Sequence, residues 1–125
     1  MIIKHFQGAF MKELVKVFKA VADPNRIRIL KMLQQKKMCV CELSAALGIT
    51  QPSVSRHLAM MKDAGLVSDE REGQWINYQL SEEKVNQYAP VIMEHIKSWI
   101  NDHPRIKEDA AKIKHLNRET LCKKI

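Results

Sequence analysis

Leu14, Phe18 and Val21 recur at helical spacing with Lys12, Lys16 and Lys19 between them, which predicts a first helix over about 9–22. Asp23-Pro24 then supplies an N-cap and a proline at the first helical position. The second helix so opened buries Ile27, Leu30 and Leu33 and ends in the polar loop 34–37. A short third helix over about 40–47 places Val40, Leu43 and Leu47 on one face, and Gly48 suits the left-handed conformation that closes a helix. Thr50 caps a fourth helix with Gln51 and Pro52 in its first turn. Val54, Leu58 and Met61 form its buried stripe, Gln51, Ser53, Arg56, His57 and Met60 face outward, and the helix stops at Ala64-Gly65.

The period changes after Leu66. Ser68 to Arg71, a turn at Glu72-Gly73-Gln74, and Trp75 to Leu80 read as a β-hairpin with its tip near Gly73. Ile76, Tyr78 and Leu80 alternate with Asn77 and Gln79, so the former three are expected inward. Ser81 caps a short helical segment before Pro90, and a longer helix over about 90–102 carries Ile92, Ile96, Trp99 and Ile100 on one side. Beyond Pro104, the positions Ile106, Ile113 and Leu116 line a weakly amphipathic helix.

These elements describe a mainly α chain with a β-hairpin. At 125 residues it is long enough for one small core. Residues 1–102 are expected to form the domain and residues 103–125 a basic C-terminal tail. The net charge of +7 suits a polyanionic partner. More than half of that excess lies in the tail, where Arg105, Lys107, Lys112, Lys114, Arg118, Lys123 and Lys124 face three acids. The tail is either a solvated extension, an auxiliary nucleic-acid contact or a lid.

Three cysteines, Cys39, Cys41 and Cys122, make no disulfide framework, because the count is odd and neighbours two apart are poorly placed to bridge. Residues 1–10 lack the apolar core of a signal peptide, and no apolar run approaches the ~18 residues of a membrane span. The expectation is a cytoplasmic protein with reduced thiols and no membrane partner.

Two short helices joined by a glycine turn and followed by a hairpin make a winged helix-turn-helix. Such a recognition helix sends polar side chains to base edges from its N-terminal turns. Gln51, Ser53, Ser55, Arg56 and His57 are the candidates for DNA contact on the fourth helix, with Arg71 and Gln74 at the wing tip. No Cys-x-x-Cys and no cofactor fingerprint points to an enzyme.

Ala22-Asp-Pro-Asn-Arg-Ile-Arg-Ile-Leu30, Gln51-Pro-Ser-Val-Ser-Arg-His-Leu58, Ala64-Gly-Leu-Val67 and Arg71-Glu-Gly-Gln-Trp-Ile-Asn-Tyr-Gln-Leu80 together resemble the ArsR/SmtB family of metalloregulatory repressors. Cys39-Val-Cys-Glu-Leu43 further resembles its arsenite-sensing branch. The resemblance implies a homodimer on palindromic operator DNA that leaves when arsenite or antimonite binds. It also implies a dimer interface built from the first and last helices of the fold, here Leu14, Phe18, Ile92, Ile96 and Trp99. An interfacial zinc site of the family needs an Asp-x-His pair, whereas Asp102 and His103 are adjacent.

Trivalent arsenic and antimony are soft centres, and cysteine thiolates are their natural protein ligands. A helix N-terminus favours the thiolate form of Cys39 and Cys41. Residues two apart on a regular helix point roughly 200° away from each other. Joint capture of one ion would therefore distort the first turn and disturb Val40 between them. The pattern often has a third cysteine three residues after the second, where this chain has Ser44. Either two thiolates suffice, with a small thiol or water completing the site, or Cys122 folds back as third ligand. The same cysteines also suit cadmium, lead, zinc or thiol oxidation as the signal.

Overall fold

The computed structural model describes residues 2–121, with side chains from residue 10 onward. Helix α1 (Ile2–Val21) begins well before the expected residue 9 and leads into α2 (Pro24–Gln35). The turn between them is set by Asp23, whose Oδ1 accepts from the Asn25 N–H at 2.8 Å and the Arg26 N–H at 3.1 Å. A two-residue strand β1 (Met38–Cys39) then precedes α3 (Val40–Leu47) and α4 (Gln51–Asp63). Gly48 closes α3 at φ 72° and donates to the Ser44 carbonyl at 2.8 Å. Thr50 Oγ1 caps α4 by accepting from the Ser53 N–H at 3.3 Å. Both ends agree with the caps legible in the sequence.

The hairpin consists of β2 (Val67–Glu72) and β3 (Trp75–Leu80), and Glu72 pairs Trp75 around the two-residue turn Gly73-Gln74. Gly73 takes φ 61°, the positive value such a tight turn requires. β1 adds to the other edge of β3, giving an antiparallel sheet of order β1-β3-β2 with Cys39 opposite Asn77. This third strand was not expected, and the expected inward and outward positions of β3 are also reversed in part. Asn77 is buried while Ile76 is 48% exposed. The reason is that the C-terminal segment meets β3 on the Asn77 side, where Asn77 finds partners in Arg118 and Glu72.

No helix forms over 81–88, where the Ser81 hydroxyl instead accepts from the Glu83 N–H at 3.2 Å. Helix α5 (Ala89–Ser98) starts at the expected proline but stops four residues short. Its end is held by Lys31, whose Nζ donates to the carbonyls of Ile96 (2.9 Å) and Trp99 (3.0 Å) and to Asn101 Oδ1 (2.5 Å). Burial pushes the Lys31 ammonium below its ordinary pKa. Ile100 takes φ 52° inside this cage, a strained value for a β-branched residue. The chain thereby turns sharply into α6 (Pro104–Ile113), followed by α7 (Arg118–Leu121).

Residues 104–121 pack on the core. Ile106 and Ile113 are buried, α6 lies against α2 and α3, and α7 lies against α3. Arg28 holds α6 through a bidentate pair, Nε to Asp109 Oδ2 at 2.8 Å and Nη2 to Oδ1 at 2.9 Å. The core itself joins Val17, Leu30, Leu43, Val54, Leu58 and Met61 across α1 to α4, the same stripe on α4 that the spacing predicts. Among the described residues no helix is long and apolar enough to cross a membrane.

Candidate nucleic-acid interface and thiol sensor

Helix α4 buries one stripe and leaves the polar residues of its first turns on the surface. Gln51, Ser55 and Arg56 are exposed and Ser53 is half-buried. Arg56 Nη2 donates to Ser53 Oγ at 3.2 Å, so the guanidinium is held near the helix N-terminus. At the wing, Arg71 and Gln74 are exposed, and Arg71 Nε donates to the Gly73 carbonyl at 3.2 Å. An exposed helix N-terminus and a hairpin tip, each bearing guanidinium and amide groups, can donate to phosphates and base edges.

His57 departs from the expected outward face. Arg26 Nη1 lies 3.0 Å from His57 Nδ1, and guanidinium only donates, so Nδ1 accepts and the ring proton sits on Nε2. Arg26 also donates to the carbonyls of Ala20 (2.8 Å) and Lys19 (3.0 Å), capping the end of α1. Arg26 thus ties the first helix to the fourth, and His57 is turned inward to meet it. Nothing in the helical periodicity marks this, because the partner lies 31 residues away.

The two cysteines straddle a junction rather than sharing a helix. Cys39 is the N-cap of α3 in an extended conformation (φ −90°, ψ 170°), whereas Cys41 lies in the first helical turn. The regular-helix geometry expected for the pair therefore does not apply, and any distortion on joint capture falls on the strand-to-helix corner at Val40. That residue is partly buried against the core. Cys39 itself is 3% exposed, and Glu42 reaches back so that its Oε1 accepts the Cys39 N–H at 3.1 Å. Burial pushes the Cys39 thiol above its ordinary pKa, outweighing the Glu42 N–H that favours the thiolate. The lowering expected from the helix N-terminus is reversed at this residue.

Ser44 stands where the family pattern often has a third cysteine, and its hydroxyl donates to the Ile49 carbonyl at 2.5 Å. It serves the turn between α3 and α4. Cys122 lies outside the described residues. Helix α7, whose last residue Leu121 immediately precedes it in sequence, packs against α3. Among the described residues, no group of three or more His, Cys, Asp or Glu side chains is placed to hold a metal ion. Cys39 is a thiol but Cys41 is disulfide-bonded, a departure from the reduced thiols expected, so the described part of the site offers two thiolates to a soft, thiophilic centre only once that bond is reduced. Gln51 connects the two regions, its Nε2 donating to Cys41 Sγ at 3.6 Å.

On the outer faces of α1 and α5, Phe18 is 51% and Trp99 52% exposed, and Leu14 and Ile92 are half-buried. Phe10, Met11 and Val15 extend the same α1 surface. Ile96 does not belong with them. It is 6% exposed inside the single chain, because it packs into the core and its carbonyl accepts from Lys31.

Residues 23–69 match a family described as bacterial regulatory protein, arsR family. The chain is 42% identical over 87 residues to the arsenic resistance transcriptional regulator ArsR1 of Pseudomonas putida, covering 66% of this chain and 68% of that protein. It is 32% identical over 114 residues to ArsR2 of the same organism, covering 85% and 94%. Among solved structures it is similar to the homodimeric winged helix-turn-helix DNA-binding domain Mb0332 of Mycobacterium bovis. That likeness has a TM-score of 0.62 at 26% identity and covers 78% of this chain and 91% of that one.

Proposed function

This chain belongs to the ArsR family of winged helix-turn-helix transcriptional repressors, and we propose that it is the arsenite-responsive kind. The family consists of DNA-binding regulators rather than enzymes. In our reading the protein sits as a homodimer on palindromic operator DNA and leaves when arsenite or antimonite binds its cysteines. The α1 face around Leu14 and Phe18 and the α5 face around Ile92 and Trp99 carry the dimer, each apolar and exposed on the single chain.

DNA contact falls to Gln51, Ser53, Ser55 and Arg56 on α4 and to Arg71 and Gln74 on the wing. His57 of α4 is held by Arg26, which also caps α1. The inducer takes the sulfurs of Cys39 and Cys41, with Cys122 as the third. The observation that carries this ligand set is the packing of α7 on α3, which returns the chain to the sensor helix one residue before Cys122.

The relatives named as arsenic resistance regulators favour arsenite over zinc or cadmium, between which sulfur donors alone do not choose. The test is operator binding in reducing buffer, titrated with arsenite and separately with zinc. Arsenite should dissociate the wild type and zinc should not. Cys39→Ser with Cys41→Ser should remain bound, and Cys122→Ser should shift release to higher arsenite. If arsenite leaves wild-type binding untouched, the reading fails.

A further inference from the structure

Arg118, on the last described helix, joins the sensor to the wing. Its Nη1 donates to Asn77 Oδ1 at 2.8 Å and its Nη2 to Glu72 Oε1 at 2.5 Å. Asn77 Nδ2 donates to the other carboxylate oxygen, Glu72 Oε2, at 2.6 Å, which closes a ring of three side chains. The guanidinium also lies 4.3 Å from the centroid of the Trp75 ring. Each end of this ring has a definite address. Asn77 stands opposite Cys39 in the β1–β3 ladder, and Glu72 and Trp75 are the pair that flanks the turn at the wing tip.

The geometry leaves little independent movement. Asn77 is 3% exposed, so its side chain cannot exchange these partners for water without leaving buried polar atoms unpaired. A guanidinium is a rigid planar fork with fixed donor directions, so it cannot follow Asn77 while leaving Glu72 in place. The helix that carries Arg118 packs on α3, the helix that begins at the cysteines. Arg118 therefore meets the sensor from two sides, through β3 and through its own helix.

We propose that Arg118 is a positioning residue that couples the thiol site to the wing. A shift of the Cys39–Cys41 corner on inducer binding passes through Asn77 and α7 to Arg118. From there it reaches Glu72 and Trp75, so that the posture of the wing is a second output beside that of α4. The inference rests on the reading of Cys39 and Cys41 as inducer ligands. It adds to that reading a role for the C-terminal segment that is distinct from supplying a sulfur.

The experiment compares operator affinity in reducing buffer, with and without saturating arsenite, for the full-length wild type, Arg118→Gln and Glu72→Gln. The indole N–H resonance of Trp75 and the arsenic–sulfur absorption are followed in parallel. In the wild type, arsenite should bind, release the operator and shift the Trp75 resonance over the same concentration range. In both variants arsenite should still bind, the Trp75 shift should vanish, and the arsenite-induced loss of operator affinity should be at least tenfold smaller. Glu72→Gln alters an exposed residue and keeps the test open where Arg118→Gln does not fold. Variants that keep the wild-type loss of affinity and the Trp75 shift overturn the role of Arg118 and leave the inducer reading standing. A wild type that does not bind arsenite overturns both.

Discussion

The side-chain amide of Gln51 donates to the sulfur of Cys41 across 3.6 Å. Gln51 is the first residue of α4 and Cys41 lies in the first turn of α3, so a proposed DNA-contacting residue also touches a candidate ligand. A sulfur whose lone pair is engaged by a soft ion is a poor acceptor, and its capture would release Gln51 from this position. Gln51→Ala should therefore weaken operator binding, by about 1–3 kcal/mol if the contact is a bidentate one. It should also shrink the further loss caused by arsenite. Titrations at one fixed salt concentration, with and without arsenite, measure both quantities.

We propose that His57, which meets Arg26, orients α4 rather than touching DNA. His57→Leu leaves Arg26 Nη1 without its acceptor and should destabilise the fold by about 1–3 kcal/mol in urea unfolding. His57→Gln, which restores an acceptor, should recover most of that loss. The slope of operator affinity against salt should be unchanged in His57→Leu, because no phosphate contact is lost. A shallower slope would return His57 to the DNA-contacting set.

One buried ion pair reinforces the apolar docking of α6. The Asp109 side chain is 4% and the Arg28 side chain 16% exposed, and their hydrogen bonds join residues 81 apart in sequence. Asp109→Ala leaves a guanidinium buried without its counter-charge, which should cost about 3–5 kcal/mol. Arg28→Met combined with Asp109→Leu should restore much of the difference, because a well-packed apolar pair removes the unpaired charge. Thermal or urea unfolding of the three proteins decides this.

The Arg118 contact also makes an acid-side prediction. The hydrogen bond from Arg118, and then its charge, holds the Glu72 carboxyl below its ordinary pKa, so the folded state favours the ionised form. A depressed folded value means that the contribution is present above the unfolded pKa and is lost as the pH falls through the folded one. The Trp75 indole resonance should therefore titrate at a pH below about 4.5, the ordinary carboxyl value. Glu72→Gln should abolish that step. A titration that persists in this variant would assign the step to another group.

The local signals carried the helices and the hairpin. Asp23-Pro24, Gly48 and Thr50 act within four residues of themselves through cap hydrogen bonds or a positive φ, and each stands where the sequence places it. The stripe Val54, Leu58 and Met61 follows from helical spacing alone. The extent of α5 was not legible, because its end is decided by Lys31 reaching over from α2 to its carbonyls. For the same reason the inward turn of His57 could not be read from its own helix.

The sequence by itself determined a winged helix-turn-helix with paired cysteines at its centre and an exposed polar turn opening α4. Those features depend on residue type and short-range spacing. Only the tertiary structure decided that Cys39 belongs to a strand, that Asn77 is buried opposite it, and that the basic C-terminal segment folds back onto both α3 and the wing. These outcomes rest on contacts such as Asn77 with Arg118 and Arg28 with Asp109, separated by 41 and 81 residues. Pairing over such distances leaves no periodicity in the chain, because it is set by which faces the packed helices bring together.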